Sequence, residues 1–127
     1  MASGDYRKQI LIVDDEADIT RALKKGIEAK GLGVDTYNVP TEAIMNFKPD
    51  LYDIAILDIR MPEMSGFDLY RELKKRDKNL AFCFFTAFDI LPSEFERMFP
   101  DSSVKAFIKK PVSISQLLVQ LNLVADG

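Results

Sequence analysis

The 127-residue sequence predicts an α/β fold, a parallel β-sheet with helices packed on both of its faces. Three observations carry that prediction. Five short strand candidates alternate along the chain with five helical ones. The runs at 9–13, 54–57 and 80–85 are almost wholly apolar instead of alternating with polar residues, as strands covered on both faces require. The connections between elements are short.

Residues 9–13 form the first strand candidate, with Asp14, Asp15 and Glu16 at its C-terminal end. Ile19, Leu23 and Ile27 then recur at four-residue steps, with Ala22 beside them and polar Lys24, Lys25 and Glu28 between, which predicts an amphipathic helix. Gly31 and Gly33 are expected to end it by supplying a left-handed stop. Residues 34–37 read as a weaker strand nearer the sheet edge, because Asp35 places a charge in it. Pro40 suits a first helical position, and Ala43, Ile44 and Phe47 make one face of a short helix closed by Pro49 and Asp50. The third strand, 54–57, delivers Asp58 to a turn marked by Pro62 and Gly66. Gly66 leads into a third helix carrying Leu69 and Leu73 inside and Arg71, Lys74, Lys75 and Arg76 outside. Residues 80–85 are an aromatic-rich buried strand.

Between Thr86 and Asp101 the pattern is least regular. Ser93 and Glu96 have capping-box spacing, and Phe95 and Phe99 share a face, so a short fourth helix is expected between Pro92 and Pro100. Residues 104–108 form the fifth strand and run into Lys109, Lys110 and Pro111. Ser113 and Gln116 are a second capping-box pair, and Ile114, Leu117, Leu118 and Leu121 give the stripe of a last helix.

Composition narrows the function. Hydrophobic residues make up 47% and charged residues 29%, an ordinary globular balance for a single domain. The net charge is −3 and no basic run stands out, which argues against nucleic-acid binding by this segment. No apolar stretch approaches the roughly 18 residues needed to span a bilayer, and no leader is evident, so no membrane association and a cytoplasmic location are expected. Cys83 is the single cysteine and has no internal disulfide partner. Histidine is absent, which removes Ser-His-Asp and Cys-His catalysis. The first four residues suggest a flexible start, with the domain expected over 9–125 after a segment of 1–8.

In an open parallel sheet, ligands sit beyond the C-terminal ends of the strands. Asp14 and Asp15, Asp58, Thr86 and Lys110 all fall on such ends. Carboxylates gathered on one rim repel: at about 5 Å and an effective dielectric near 20 each pair costs roughly 3 kcal/mol. A hard divalent cation would neutralise them, because only oxygen donors are offered, and Mg2+ fits such a site best. A metal-bound carboxylate beside an ammonium is in turn a suitable phosphoryl acceptor, with the Thr86 hydroxyl able to hydrogen-bond the arriving phosphate. Taken singly, each residue also has a plain reading: Asp14 and Asp15 as helix caps, Asp58 as a turn residue, Thr86 as structural and Lys110 as a solvated charge.

The ordered set Asp14-Asp15, Asp58 with Met61-Pro62, Met64 and Gly66, Thr86-Ala87, Phe107 and Lys110-Pro111 resembles the receiver domain of two-component response regulators over essentially the whole chain. The resemblance implies a flavodoxin-like (βα)5 three-layer sandwich with strand order 2-1-3-4-5. It implies phosphorylation of Asp58 by a histidine kinase or phosphotransfer protein. It also implies Mg2+ held by Asp14, Asp15, Asp58 and the Arg60 backbone carbonyl, with Thr86 and Lys110 on the phosphoryl oxygens. A cis Lys110-Pro111 bond and a Thr86–Phe107 switch acting on the surface of the fourth helix, fifth strand and last helix follow from the same resemblance. That surface would meet an output domain or partner, and the chain is expected to be either a stand-alone receiver or part of a longer protein. Phe107 is phenylalanine and has no hydroxyl to hold an outward state. Phe88 and Arg60 put a large apolar group and a cation at the site entrance, where each is expected to alter phosphoryl lifetime.

Three other readings are weaker. A flavodoxin-like cofactor domain needs a phosphate-cradling loop after the first strand, and Asp14-Asp15-Glu16 would repel phosphate. A haloacid dehalogenase-type phosphatase wants an acid two residues after the nucleophile, where this chain has Arg60. A receiver-like interaction module that is never phosphorylated is hard to square with the intact acidic cluster.

Overall fold

The computed structural model describes residues 8–87, 97 and 104–121. Within them β1 (Gln9–Val13), α1 (Ala17–Glu28), β2 (Gly33–Tyr37), α2 (Pro40–Asn46), β3 (Ile54–Leu57), α3 (Gly66–Arg76), β4 (Ala81–Thr86), β5 (Val104–Lys109) and α4 (Ile114–Gln120) follow one another in the expected order. The strands form one parallel sheet in the order β2-β1-β3-β4-β5. β2 lies at an edge, consistent with the charge it carries.

Side chains alternate across a strand, so an uninterrupted apolar run feeds two cores at once. In β1, Ile10 and Ile12 point to the face covered by Leu23 and Ile27 of α1 and Leu117 and Leu118 of α4. Leu11 and Val13 point to the other face, against Ala43 of α2 and Leu69, Tyr70 and Leu73 of α3. β3 and β4 divide in the same way, Ile56 and Cys83 to the first face, Leu57 and Phe84 to the second. Fully burying each large aliphatic side chain contributes about 1.5–3 kcal/mol, which is why the sheet is the rigid part on which the site is mounted.

Local signals behave largely as the sequence predicts. Pro40 opens α2. Ser113 caps α4 in a complete capping box with Gln116. Ser65, which sequence reading passed over, caps α3 by accepting from the Asp68 N–H. The predicted stop after α1 needs correction. Gly31 does adopt the left-handed conformation, at φ +88°, but Gly33 does not stop the helix. It is the first residue of β2, opposite Gln9, where a Cβ would fall 2.2 Å from the Gln9 side chain. The fourth predicted helix, with Ser93, Phe95, Glu96 and Phe99, lies outside the described residues, and so does Phe88.

The turn after β3 determines how Asp58 is presented. Gly66 N–H donates to the Ile59 carbonyl at 2.8 Å, folding the start of α3 back on the strand end. A Cβ on Gly66 would lie 2.1 Å from the Asp58 carbonyl oxygen, so only glycine permits this approach. The left-handed residue of the turn is Glu63, at φ +75°. Gly66 therefore acts by removing a side chain, while the reversal itself falls on Glu63.

Candidate functional site

Asp14 directly follows β1 and is 1% exposed; Asp58 directly follows β3 and is 6% exposed. Their strands are hydrogen-bonded neighbours, and the Asp58 N–H donates to the Val13 carbonyl at 2.9 Å. The two carboxylates thus stand side by side on a rigid edge. Lys110 arrives just past β5, its side chain only 10% exposed, and its Nζ donates to Asp14 Oδ2 at 2.6 Å. The same Nζ is 3.4 Å from Glu16 Oε1, 3.7 Å from Asp58 Oδ1, and 5.4 Å from the centre of the Phe85 ring. The Lys110-Pro111 peptide is cis.

One carboxylate oxygen each from Asp14, Glu16 and Asp58 fall within 4.8 Å of one another. Sequence reading grouped Asp15 with Asp14 and Asp58 and passed over Glu16. The geometry explains the difference. The strand ends at Val13, the chain bends at Asp15, and Glu16 is the N-cap of α1, its N–H turned back onto Asp14 Oδ1 at 2.9 Å. The buried Asp14 and the exposed Glu16 both meet Lys110, and Asp15, also exposed, lies between them in sequence. No local pattern singles out Glu16; its place in the cluster shows only against Lys110, 94 positions away. The Asp15 charge still reaches the site, since it contributes to raising the Asp58 pKa.

Electrostatics mark Asp58 as the least stable anion of the group. Burial first, and the neighbouring Asp14 charge second, push its carboxyl up to about 6, against the lowering pull of Lys110 and the Ile59 N–H. The Asp14 carboxyl is also raised, chiefly by burial, although Lys110 and the Glu16 N–H oppose the shift. Burial by itself would lower the Lys110 pKa; its bond to Asp14 and the charges of Asp14, Asp58 and Glu16 more than offset this and hold it above its usual value. One ammonium therefore faces three acids. The all-oxygen donor set suits a hard divalent ion such as Mg2+, which takes a few carboxylates and keeps several waters. Asp14, Glu16 and Asp58 are close enough together that they could hold such an ion, and Asp15 lies beside them in sequence.

Thr86 ends β4 and is 1% exposed. β3 and β4 pair with Leu57 opposite Phe84, which puts Thr86 at the same end of the sheet as Asp58. Its carbonyl accepts from the Lys110 N–H at 2.7 Å. Phe107, paired with Phe84 across β4 and β5, is half-buried on the α2–α3 face with its ring 5.7 Å from that of Phe84. Arg60 is exposed two residues beyond Asp58. The structure thus brings Asp14, Asp58 and Lys110 into mutual contact range and sets Thr86 at the same end of the sheet.

The sheet order, with acids, a threonine and a lysine gathered at one end of the strands, defines an open parallel α/β domain with a polar site on its rim. Residues 10–122 match the response regulator receiver domain, so the chain belongs to that family, the receiver domains of two-component response regulators. Response regulator SaeR of Staphylococcus aureus is 33% identical over 114 residues, 89% of this chain and 48% of SaeR. The chain spans about half the length of the curated relatives it matches. Among solved structures, the non-phosphorylated HemR receiver domain from Leptospira biflexa superposes with a TM-score of 0.81 at 31% identity, covering 91% of this chain and 92% of that one. The response regulator TrrA from Thermotoga maritima, solved in complex with Mg2+ and BeF, gives 0.72 at 28% identity, covering 91% and 96%. Among the described residues no helix is long and apolar enough to cross a membrane.

Proposed function

We propose that this receiver domain accepts a phosphoryl group on Asp58 in the presence of Mg2+, from a histidine kinase or phosphotransfer protein, and that it acts as a switch and not as an enzyme turning over a separate substrate. The observation that carries this reading is the largely buried ammonium of Lys110, 2.6 Å from Asp14 and 3.7 Å from Asp58 among the acids of the site.

Each residue has a distinct task. The Asp58 carboxylate oxygen forms the new O–P bond as the donor's N–P bond breaks, and it must be ionised to do so. With its pKa pushed up to about 6, it is a stronger nucleophile than an ordinary carboxylate yet largely ionised at neutral pH. Bound Mg2+ would neutralise charge on the transferring oxygens; Asp14 and Asp15 are its proposed acidic ligands alongside Asp58 and the Arg60 carbonyl, and Glu16 joins them on the geometry. Lys110 neutralises the oxygens from the other side. The Thr86 hydroxyl hydrogen-bonds the phosphate once it has arrived. As Thr86 moves toward the phosphate it vacates space, and Phe107, half-buried beside β4, moves into it and alters the surface around β5 and α4 that meets an output domain or partner.

The functional unit is taken as 9–125, and a cytoplasmic location fits it. Cys83 takes no part, because burial pushes its thiol up to about 12 and leaves it unreactive. Incubation with acetyl phosphate and Mg2+ tests the reading. One phosphoryl group per chain is expected, with none in Asp58→Asn or with EDTA; a native protein that takes up no phosphate contradicts it.

A further inference from the structure

Asp14 is fixed through every polar group it has. Its N–H donates to the Tyr37 carbonyl at 3.1 Å, and its Oδ1 and Oδ2 accept from the Glu16 N–H at 2.9 Å and from Lys110 at 2.6 Å. Its carbonyl is held by a residue outside the acidic cluster: Asn38 Nδ2 donates to it at 2.8 Å across 24 positions of sequence. The second N–H of the same amide donates to Thr20 Oγ1 at 2.9 Å. Thr20 is buried in α1, and its hydroxyl donates to the Ala17 carbonyl at 3.1 Å. A carbonyl can only accept, so the atom facing Asp14 has to be the amide nitrogen.

One side chain on the β2–α2 connection therefore ties the end of β1 to the first turn of α1. The segment between those two anchors, residues 15–19, includes Glu16, which lacks a side-chain cap of its own. We infer that Asn38 is a positioning residue for the metal-binding loop, setting the spacing of the Asp14 and Glu16 carboxylates without touching the ion. This rests on the Mg2+-dependent reading above and adds to it a part for the edge of the sheet. An acid pair held in advance binds a cation without first paying the entropy of ordering the loop. Asn38 is itself exposed, so truncating it removes the tether while the cores on both sheet faces stay intact.

The test is a Mg2+ titration followed by amide NMR, with no phosphodonor, on the native protein, Asn38→Ala and Thr20→Val. Asn38→Ala is expected to raise the half-saturating Mg2+ concentration roughly ten-fold, the low end of what outer partners of metal ligands contribute. Thr20→Val should raise it less and in the same direction, and it decides the matter alone if Asn38→Ala does not fold. At saturating Mg2+ both variants should accept phosphate from acetyl phosphate at the native rate, a split that general destabilisation would not produce. Variants that titrate at the native midpoint overturn the inference and leave the phosphoacceptor reading standing. A native protein with no Mg2+ response overturns that reading, and the inference with it.

Discussion

Lys110→Met is expected to slow phosphorylation by acetyl phosphate by about 100-fold, on the scale seen when one preorganised charge-stabilising donor is removed. Methionine keeps most of the stem that packs beside Phe85 and deletes only the ammonium. The same variant should lose roughly 3 kcal/mol of stability without Mg2+, since a buried ion pair broken on one side leaves an uncompensated acid, here Asp14. Mg2+ binding should tighten, because Lys110 occupies Asp14 Oδ2 in the metal-free protein and has to give up that contact. Slower transfer together with tighter metal binding distinguishes a charge role at the phosphoryl group from a role in assembling the metal site. Phosphorylation at the native rate would remove Lys110 from the chemistry.

A second large effect concerns Asp58 in the absence of metal. Its carboxyl is raised from an ordinary 3.8 to about 6 by burial and by Asp14. Between those values the folded protein binds a proton more readily than the unfolded chain, so stability falls as pH rises through the window from about 4 to 6. Two units correspond to about 3 kcal/mol, fully lost above pH 7. Asp58→Asn is nearly isosteric, keeps an acceptor for the Ile59 N–H, and carries no charge to bury. Urea unfolding in EDTA should find it about 2–3 kcal/mol more stable than the native protein at pH 8, and equal to it at pH 4. Excess Mg2+ should shrink the gap at pH 8 by binding the native acids. A gap that does not change with pH would show that Asp58 is not under electrostatic strain.

Much of this was legible in the sequence because it rests on local patterns. Asp14 and Asp58 could be placed on one rim because each directly follows a run too apolar to be anything but a buried strand. The two cores were implied by the same runs, since a strand without alternation has to be covered twice. What could not be read depends on distant partners. The Lys110–Asp14 contact joins residues 96 positions apart, and Asn38 is an ordinary loop residue until its amide is seen against the Asp14 carbonyl. Glu16 was missed for a similar reason. Its nearness to Asp14 and Asp58 comes from the turn at Asp15 and from Lys110, 94 positions away, and neither is written in the run of three acids. Gly33 was misread because glycine can serve a left-handed turn or a close approach, and the choice depends on Gln9 in the neighbouring strand.

As proposed, Asp58 is a phosphoacceptor whose site requires the metal. Beryllofluoride, which mimics a phosphoryl group on a carboxylate, tests it most directly when its binding is followed by amide NMR. With Mg2+ the native protein should bind it at one site, shifting the resonances of Asp58, Thr86, Phe107 and Lys110 together, and neither Asp58→Asn nor the metal-free protein should respond. Binding that persists in Asp58→Asn, or that proceeds unchanged in EDTA, would contradict the account.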